Sequence, residues 1–189
     1  MNIPHIKRPE WMTVLGVIGI ALGALGVMGS LQAFIMPQML RLEQHLFRSF
    51  ADAAASEGAK GPGTLFEFFA DNFTIPEWFK SWIIISGIIG LFVAGYFIYA
   101  SIQLINSKPN SLKLYIRAVW FRVALIVAGI ACALTLGSLF AFAAVAGGTF
   151  GLAIDAVLLI IAYLHRREFQ AYMARLYPQD ADQYINSQG

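Results

Sequence analysis

Asp155 is the residue of this chain that is most clearly placed to take part in chemistry, because it is an acid inside a long apolar stretch. Between Val123 and Tyr163 it is the only Asp, Glu, Lys, Arg or His. A carboxylate near the centre of a bilayer costs about 2.5–3.5 kcal/mol on insertion scales, so such residues are kept for a structural or functional reason. Asp155 is therefore the candidate intramembrane polar site.

Tyr96 and Tyr99 are the candidate partners of Asp155. At 1.5 Å per residue, both tyrosines come near the depth of Asp155, and helical side chains lean toward the N-terminus of their helix. Burial penalises the charged form of a carboxyl group, so one interpretation is a protonated Asp155 bonded to a tyrosine or a backbone carbonyl. The leaning directions predict that Arg122 avoids Asp155 and extends toward the membrane surface. The other interpretation is a hydrated cavity that binds a cation or relays protons.

The sequence lacks the common catalytic patterns. It contains no Walker loop, G-x-S-x-G elbow, H-E-x-x-H or C-x-x-C motif. The histidines, at positions 5, 45 and 165, lie in separate parts of the chain, and the single cysteine excludes an internal disulfide. We therefore expect no enzymatic activity, no cofactor and no metal site. The net charge of +2 gives no indication of nucleic-acid binding.

The composition indicates a membrane protein. Hydrophobic residues make up 58% of the chain and charged residues 13%, against about 25% charged in soluble domains. Blocks without charge run over 11–36, 82–105 and 123–154. The first two are each long enough for one span of about 20 residues, and the third continues past Asp155 to Leu164 and is long enough for two. Paired glycines predict a turn at Ala146–Thr149 in the third block. The prediction is a single all-α membrane domain, a bundle of four transmembrane helices at about 11–36, 82–105, 119–143 and 148–164.

The positive-inside rule orients these helices. Basic residues cluster at positions 7–8, 108–122 and 166–175, which all fall on one side, whereas acids offset the basic residues of the 37–81 loop. This predicts cytoplasmic termini, a cytoplasmic tail over 165–189 and an external loop over 37–81. The loop is expected to be partly helical, continuing the first helix beyond Pro37 or restarting after it. The tail is expected to form a short surface helix that ends before Pro178.

Two sets of residues are candidate contact surfaces. Small residues at helical spacing let helices approach closely in lipid, within one bundle or between copies. Aromatic side chains in the external loop either cap the bundle or form a docking surface for lipid or a partner. The helix-packing candidates are Gly16, Gly19, Gly23, Gly26, Gly87 and Gly90, and the external candidates are Phe66, Phe69, Phe73, Trp78 and Phe79.

The opening RPEWMTVLGVIGIALGALGVMGSLQAFIMP and the connection NSKPNSLKLYIRAVW resemble uncharacterised bacterial four-helix inner-membrane proteins. The resemblance implies a bacterial inner (plasma) membrane and no particular activity. We expect a non-enzymatic accessory, scaffold or self-assembling subunit in the lipid bilayer, as a homo-oligomer or with a membrane-protein partner. The alternative function is a small channel or a proton- or cation-coupled transporter centred on Asp155.

Overall fold

A computed structural model describes residues 7–56, 76–135 and 139–178, and all the regular structure in these residues is helical. The described residues form five helices, which are α1 (Glu10–Ser56), α2 (Glu77–Ile105), α3 (Ser111–Leu134), α4 (Leu139–Leu164) and α5 (Arg166–Leu176). Within these ranges, four helices are long and apolar enough to cross a membrane. The fold is therefore an all-helical bundle with four candidate spans, as predicted, and its composition indicates an integral membrane protein.

Helix α1 is one continuous helix of 47 residues with Pro37 in its interior, which is a length of about 70 Å. Of the two predicted possibilities at Pro37, continuation is therefore the one found. Proline removes one backbone hydrogen bond, and the helix on both sides supplies the remaining ones. In the pairing with α2, Ala33 lies opposite Gly87, so the first residue of α2 is level with about residue 43. Helix α1 then extends about 20 Å beyond α2.

The predicted turn at Ala146–Thr149 is wrong, and so are the predicted bounds of the third and fourth helices. Helix α3 ends at Leu134 and α4 begins at Leu139, so the chain reverses about ten residues earlier. A Cβ atom on Gly148 would lie 2.7 Å from the Ile130 side chain. Gly148 thus permits close helix packing, whereas a Cβ atom on Gly147 would meet nothing within 4 Å. The Thr149 hydroxyl donates to the Val145 carbonyl at 2.7 Å, which satisfies it inside the helix.

Consecutive helices pack antiparallel, α1 on α2, α2 on α3 and α3 on α4. At all six glycines predicted for helix packing, an added Cβ atom would meet an atom of the opposite helix of the α1–α2 pair within 3.2 Å. The partners, in order along the chain, are Ile105, Ser101, Ile98 and Ala94 for the four glycines of α1, and Ala33 and Ser30 for the two of α2. The glycine face of α1 is therefore covered within the chain.

The buried core lies at one end of the bundle, here called the closed end. It contains residues from the start of α1, the second half of α2, the first half of α3, the end of α4 and one side of α5. Ser107 and Asn110 have left-handed backbone conformations in the α2–α3 turn. The Tyr172 hydroxyl donates to Ser107 Oγ at 3.4 Å, and Arg8 donates to the Ile105 carbonyl at 2.5 Å. Both contacts attach a terminal segment to the turn.

Helix α5 confirms the predicted helix before Pro178, but it is more than a surface helix. Phe169 and Met173 are buried in the core, and Trp11 of α1 stacks edge-on against Phe169 at 6.4 Å. The apolar side of α5 therefore packs against the rest of the protein and not only against lipid.

Candidate functional site

Asp155 of α4 forms an ion pair with Arg122 of α3. The distance from Arg122 Nη2 to Asp155 Oδ1 is 3.4 Å, with the aspartate side chain fully buried and the arginine side chain 18% exposed. The prediction that Arg122 extends toward the surface and avoids Asp155 is wrong. A Cβ on Gly151 would lie 3.2 Å from Ile126, and the ion pair lies one turn from this contact. The close approach lets the long arginine side chain reach across despite its unfavourable starting direction.

The guanidinium of Arg122 also contacts α2. Its Cζ atom lies 4.7 Å from the centre of the Phe97 ring, a cation–π contact worth about 0.5–2 kcal/mol. Tyr115 also packs against Phe97, with 5.4 Å between the centres of the two rings. Its hydroxyl donates to the Leu15 carbonyl at 3.4 Å. Arg122 is therefore held between α2 and α4, and the ion pair links three helices.

Hydrogen bonding at this ion pair is incomplete. Within the described part of the chain, neither carboxylate oxygen of Asp155 accepts a hydrogen bond, and the buried Nη1 of Arg122 donates none. The 3.4 Å separation exceeds the 2.7–2.9 Å of a charge-assisted hydrogen bond. The attraction is therefore mainly Coulombic, and Arg122 keeps unused donors.

The predicted tyrosine partners lie elsewhere. The Tyr96 ring packs edge-on against Phe121 at 6.0 Å, and Tyr99 is 52% exposed. Neither hydroxyl bonds to Asp155. The partner is Arg122, which the leaning directions of the side chains had argued against. The signal was present, since two opposite charges stand in adjacent apolar helices.

A cavity of about 530 Å³ lies between α1, α2, α3 and α4, on the side of the ion pair away from the closed end. Its walls are apolar and rich in glycine, and Arg122 lines the end nearest the core. Gly29, Gly129 and Gly147 line it at points where an added Cβ would meet nothing within 4 Å. The bundle is thus packed at one end and open between its helices toward the other.

Of the external contact candidates, Phe66, Phe69 and Phe73 lie outside the described residues. Trp78 is half-exposed in the first turn of α2, and its ring packs edge-on against Phe79 at 5.5 Å. These two rings lie where α1 continues past α2.

Comparison of the chain with protein-family models, with curated proteins and with solved structures gives no match.

Proposed function

We propose that this chain is a non-catalytic membrane protein that acts as a self-assembling subunit, with α1 as the assembly helix. One observation carries the proposal. An exposed apolar stripe follows the side of α1 opposite its glycine face, and each of its side chains is about half exposed or more. The stripe comprises Met28, Leu31, Ile35, Met39, Leu42 and Leu46.

Helix α1 is longer than a membrane is thick, and the stripe continues into the part of α1 furthest from the closed end. Membrane thickness with head groups is about 40–45 Å, which α1 covers in about 28 residues at 1.5 Å per residue. With Trp11 placed at one membrane surface, this thickness ends near Met39, so Leu42 and Leu46 lie beyond it. Lipid accounts for exposed apolar residues within the bilayer, but side chains in water call for a protein contact.

A second copy of the chain is the occupant that fits this stripe. Two α1 helices related by a twofold axis along the membrane normal are parallel, so the stripe meets itself at every level from Met28 to Leu46. The spacing of three and four residues is that of a helix–helix seam. Another membrane-protein partner would have to match both the lipid-embedded and the aqueous part of the stripe.

The alternative, a channel or transporter centred on Asp155, is less well supported. Arg122 neutralises the carboxylate at 3.4 Å, and the tightly packed closed end lies next to the ion pair. Both features favour a structural role for Asp155.

We also propose how the chain is oriented in the membrane and which membrane contains it. Lys108 and Lys113 are exposed at the closed end, which also carries both described terminal segments. The positive-inside rule then favours cytoplasmic termini. The bacterial inner membrane follows from the sequence resemblance alone.

Disulfide cross-linking tests the assembly proposal. We expect Leu42→Cys in a Cys132→Ala background to form dimers in membranes through a disulfide, whereas Arg48→Cys on the opposite face should not. We also expect native mass spectrometry to detect a dimer that Leu42→Ser with Leu46→Ser weakens and that Arg48→Ser leaves intact. A monomer under all conditions, or equal cross-linking from both positions, would refute the proposal.

A further inference from the structure

Two basic residues of α3 are exposed on the side of the helix that faces away from the bundle. Lys113 and Arg117 lie one turn apart, and Trp120 follows three residues later, so the three share one side of α3. The residues that α3 contributes to the core, such as Tyr115 and Val119, lie on the other side. Lys113 and Arg117 therefore face lipid rather than protein.

Arg117 starts too deep in the membrane for its backbone to be in water. Helix α3 has 24 residues, a length of about 36 Å, so it is only slightly longer than the hydrocarbon core of about 30 Å. With α3 centred across this core, the Cα atom of Arg117 lies about 6 Å inside it. The side chains of α3 lean toward its N-terminus, which is at the closed end. Lys113 and Arg117 therefore both extend to the head groups on that side.

These two cations have no acidic partner in the described part of the chain. Neither side chain forms an ion pair or a hydrogen bond there. Helix α3 contains no acidic residue, and the single acid of α4, Asp155, is fully buried and paired with Arg122. Two neighbouring cations at the head-group level thus carry a charge that the described residues leave uncompensated.

An apolar groove between α3 and α4 lies beside these cations. Its residue from α3 is Trp120, and its residues from α4 are Ala156, Leu159, Ile160, Tyr163 and Leu164. The groove extends along α4 for about 12 Å, close to the depth of about 15 Å that one leaflet contributes to the hydrocarbon core. Trp and Tyr side chains are typical of the boundary between hydrocarbon and head groups. The groove therefore has the length and the position of one acyl chain.

The pairing of α3 with α4 places the cations at one end of this groove. Arg122 lies opposite Asp155, so the antiparallel register of the two helices puts Lys113 level with Leu164. Leu164 is the groove residue nearest the closed end, and the basic side chains of Lys113 and Arg117 extend beyond it. An acyl chain in the groove would therefore carry its head group to these two cations.

The charges select the kind of head group. A zwitterionic head group would bring its own cation close to two others, whereas a head group with a net negative charge compensates them. We propose that an anionic phospholipid of the closed-end leaflet binds here, with one acyl chain in the groove and its phosphate at Lys113 and Arg117. The site lies on α3 and α4, so it does not depend on assembly through α1.

Quenching of Trp120 fluorescence by brominated lipid tests this site, because Trp120 lines the groove. The reporter protein is the full chain with Trp11, Trp78 and Trp82 replaced by Phe, which leaves Trp120 as its tryptophan. The indole N–H of Trp11 has no hydrogen-bond partner among the described residues, so its replacement there breaks no such bond. The reporter is reconstituted in phosphatidylcholine and titrated with brominated phosphatidylglycerol or, separately, with brominated phosphatidylcholine.

Two pairs of substitutions separate the site from the general charge of the closed end. Lys113→Gln with Arg117→Gln removes the proposed phosphate ligands. Lys108→Gln with Arg175→Gln is the matched control, because it removes two exposed cations that lie in the α2–α3 turn and on α5. We expect the reporter to bind the anionic lipid about tenfold or more tightly than the zwitterionic one. The first pair should abolish this preference, and the control pair should preserve it.

A second pair of variants tests the groove. Ala156→Leu fills part of it and should weaken quenching of Trp120 by both brominated lipids. Ala153→Leu is the control, because Ala153 is also exposed on α4 and does not line the groove, and it should leave the quenching unchanged. Equal binding of the two lipids to the reporter, or an equal loss of preference in both charge pairs, would overturn the proposal.

Native mass spectrometry keeps the test decisive if the reporter does not fold. The wild type, released from bilayers that contain phosphatidylglycerol, should retain this lipid. Lys113→Gln with Arg117→Gln should lose it, whereas Lys108→Gln with Arg175→Gln should retain it. A wild type that retains no anionic lipid, or equal retention in both pairs, would refute the site.

Discussion

Breaking the Arg122–Asp155 ion pair should destabilise the bundle, and replacing both residues together should restore most of the loss. At 3.4 Å, two unit charges attract by about 5 kcal/mol at an effective dielectric constant of about 20. Part of that attraction offsets the desolvation of both groups. We therefore expect Arg122→Met alone, or Asp155→Leu alone, to lower the free energy of unfolding by about 3–5 kcal/mol, since each leaves a buried charge unpaired.

A double-mutant cycle measures this coupling directly. Unfolding is followed by steric trapping in detergent micelles or bicelles for the wild type, both single variants and the double variant. The double variant should lie within about 1–2 kcal/mol of the wild type, because residues of similar volume fill the space without an unpaired charge. The coupling energy should then be at least about 4 kcal/mol. A coupling below about 0.5 kcal/mol, or additive losses in the double variant, would refute the assignment of a structural ion pair.

Three further predictions follow from the described residues. Gly19→Ala should destabilise the protein by about 1–3 kcal/mol, because its Cβ would press on the buried Ser101. The control Gly29→Ala should be neutral or stabilise the protein by up to about 1 kcal/mol through helix propensity. Equal effects of the two substitutions in chemical unfolding would show that the α1–α2 packing is wrong. Met173→Ala should cost about 2–5 kcal/mol in the same assay, because Met173 is fully buried, and an unchanged stability would mean that α5 is not docked. Proteoliposomes of the wild type should pass protons and cations no faster than empty vesicles; a flux that disappears when Asp155 and its partner are both replaced would instead support a transporter.

The helical spans and their number could be predicted because lipid restricts the possible structures. An apolar segment without water must satisfy its backbone hydrogen bonds internally, so long apolar blocks become helices whatever their neighbours are. The helix before Pro178 was predictable for a related reason, since local spacing and a proline determine its bounds.

The turn between α3 and α4 was not predictable from local composition. Gly147 and Gly148 have the low helix propensity that suggests a turn, but Gly148 is needed where α4 presses against Ile130. Packing between helices outweighed a propensity difference of about 1 kcal/mol per glycine. A turn signal inside a membrane segment therefore cannot be separated from a packing signal without the partner helix.

At the candidate site, the sequence predicted the importance of Asp155 but not its partner. Its unusual position in an apolar stretch was evident from the chain alone, because the cost of a carboxylate in lipid depends on local composition. Its partner depended on how closely α3 and α4 approach, on the register that aligns Arg122 one turn from Gly151, and on Phe97 beneath the guanidinium. Composition and hydropathy thus determined that the chain forms membrane-spanning helices with one isolated acid. The tertiary structure alone decided which charge neutralises that acid, because contacts between distant segments depend on distances that no local pattern contains.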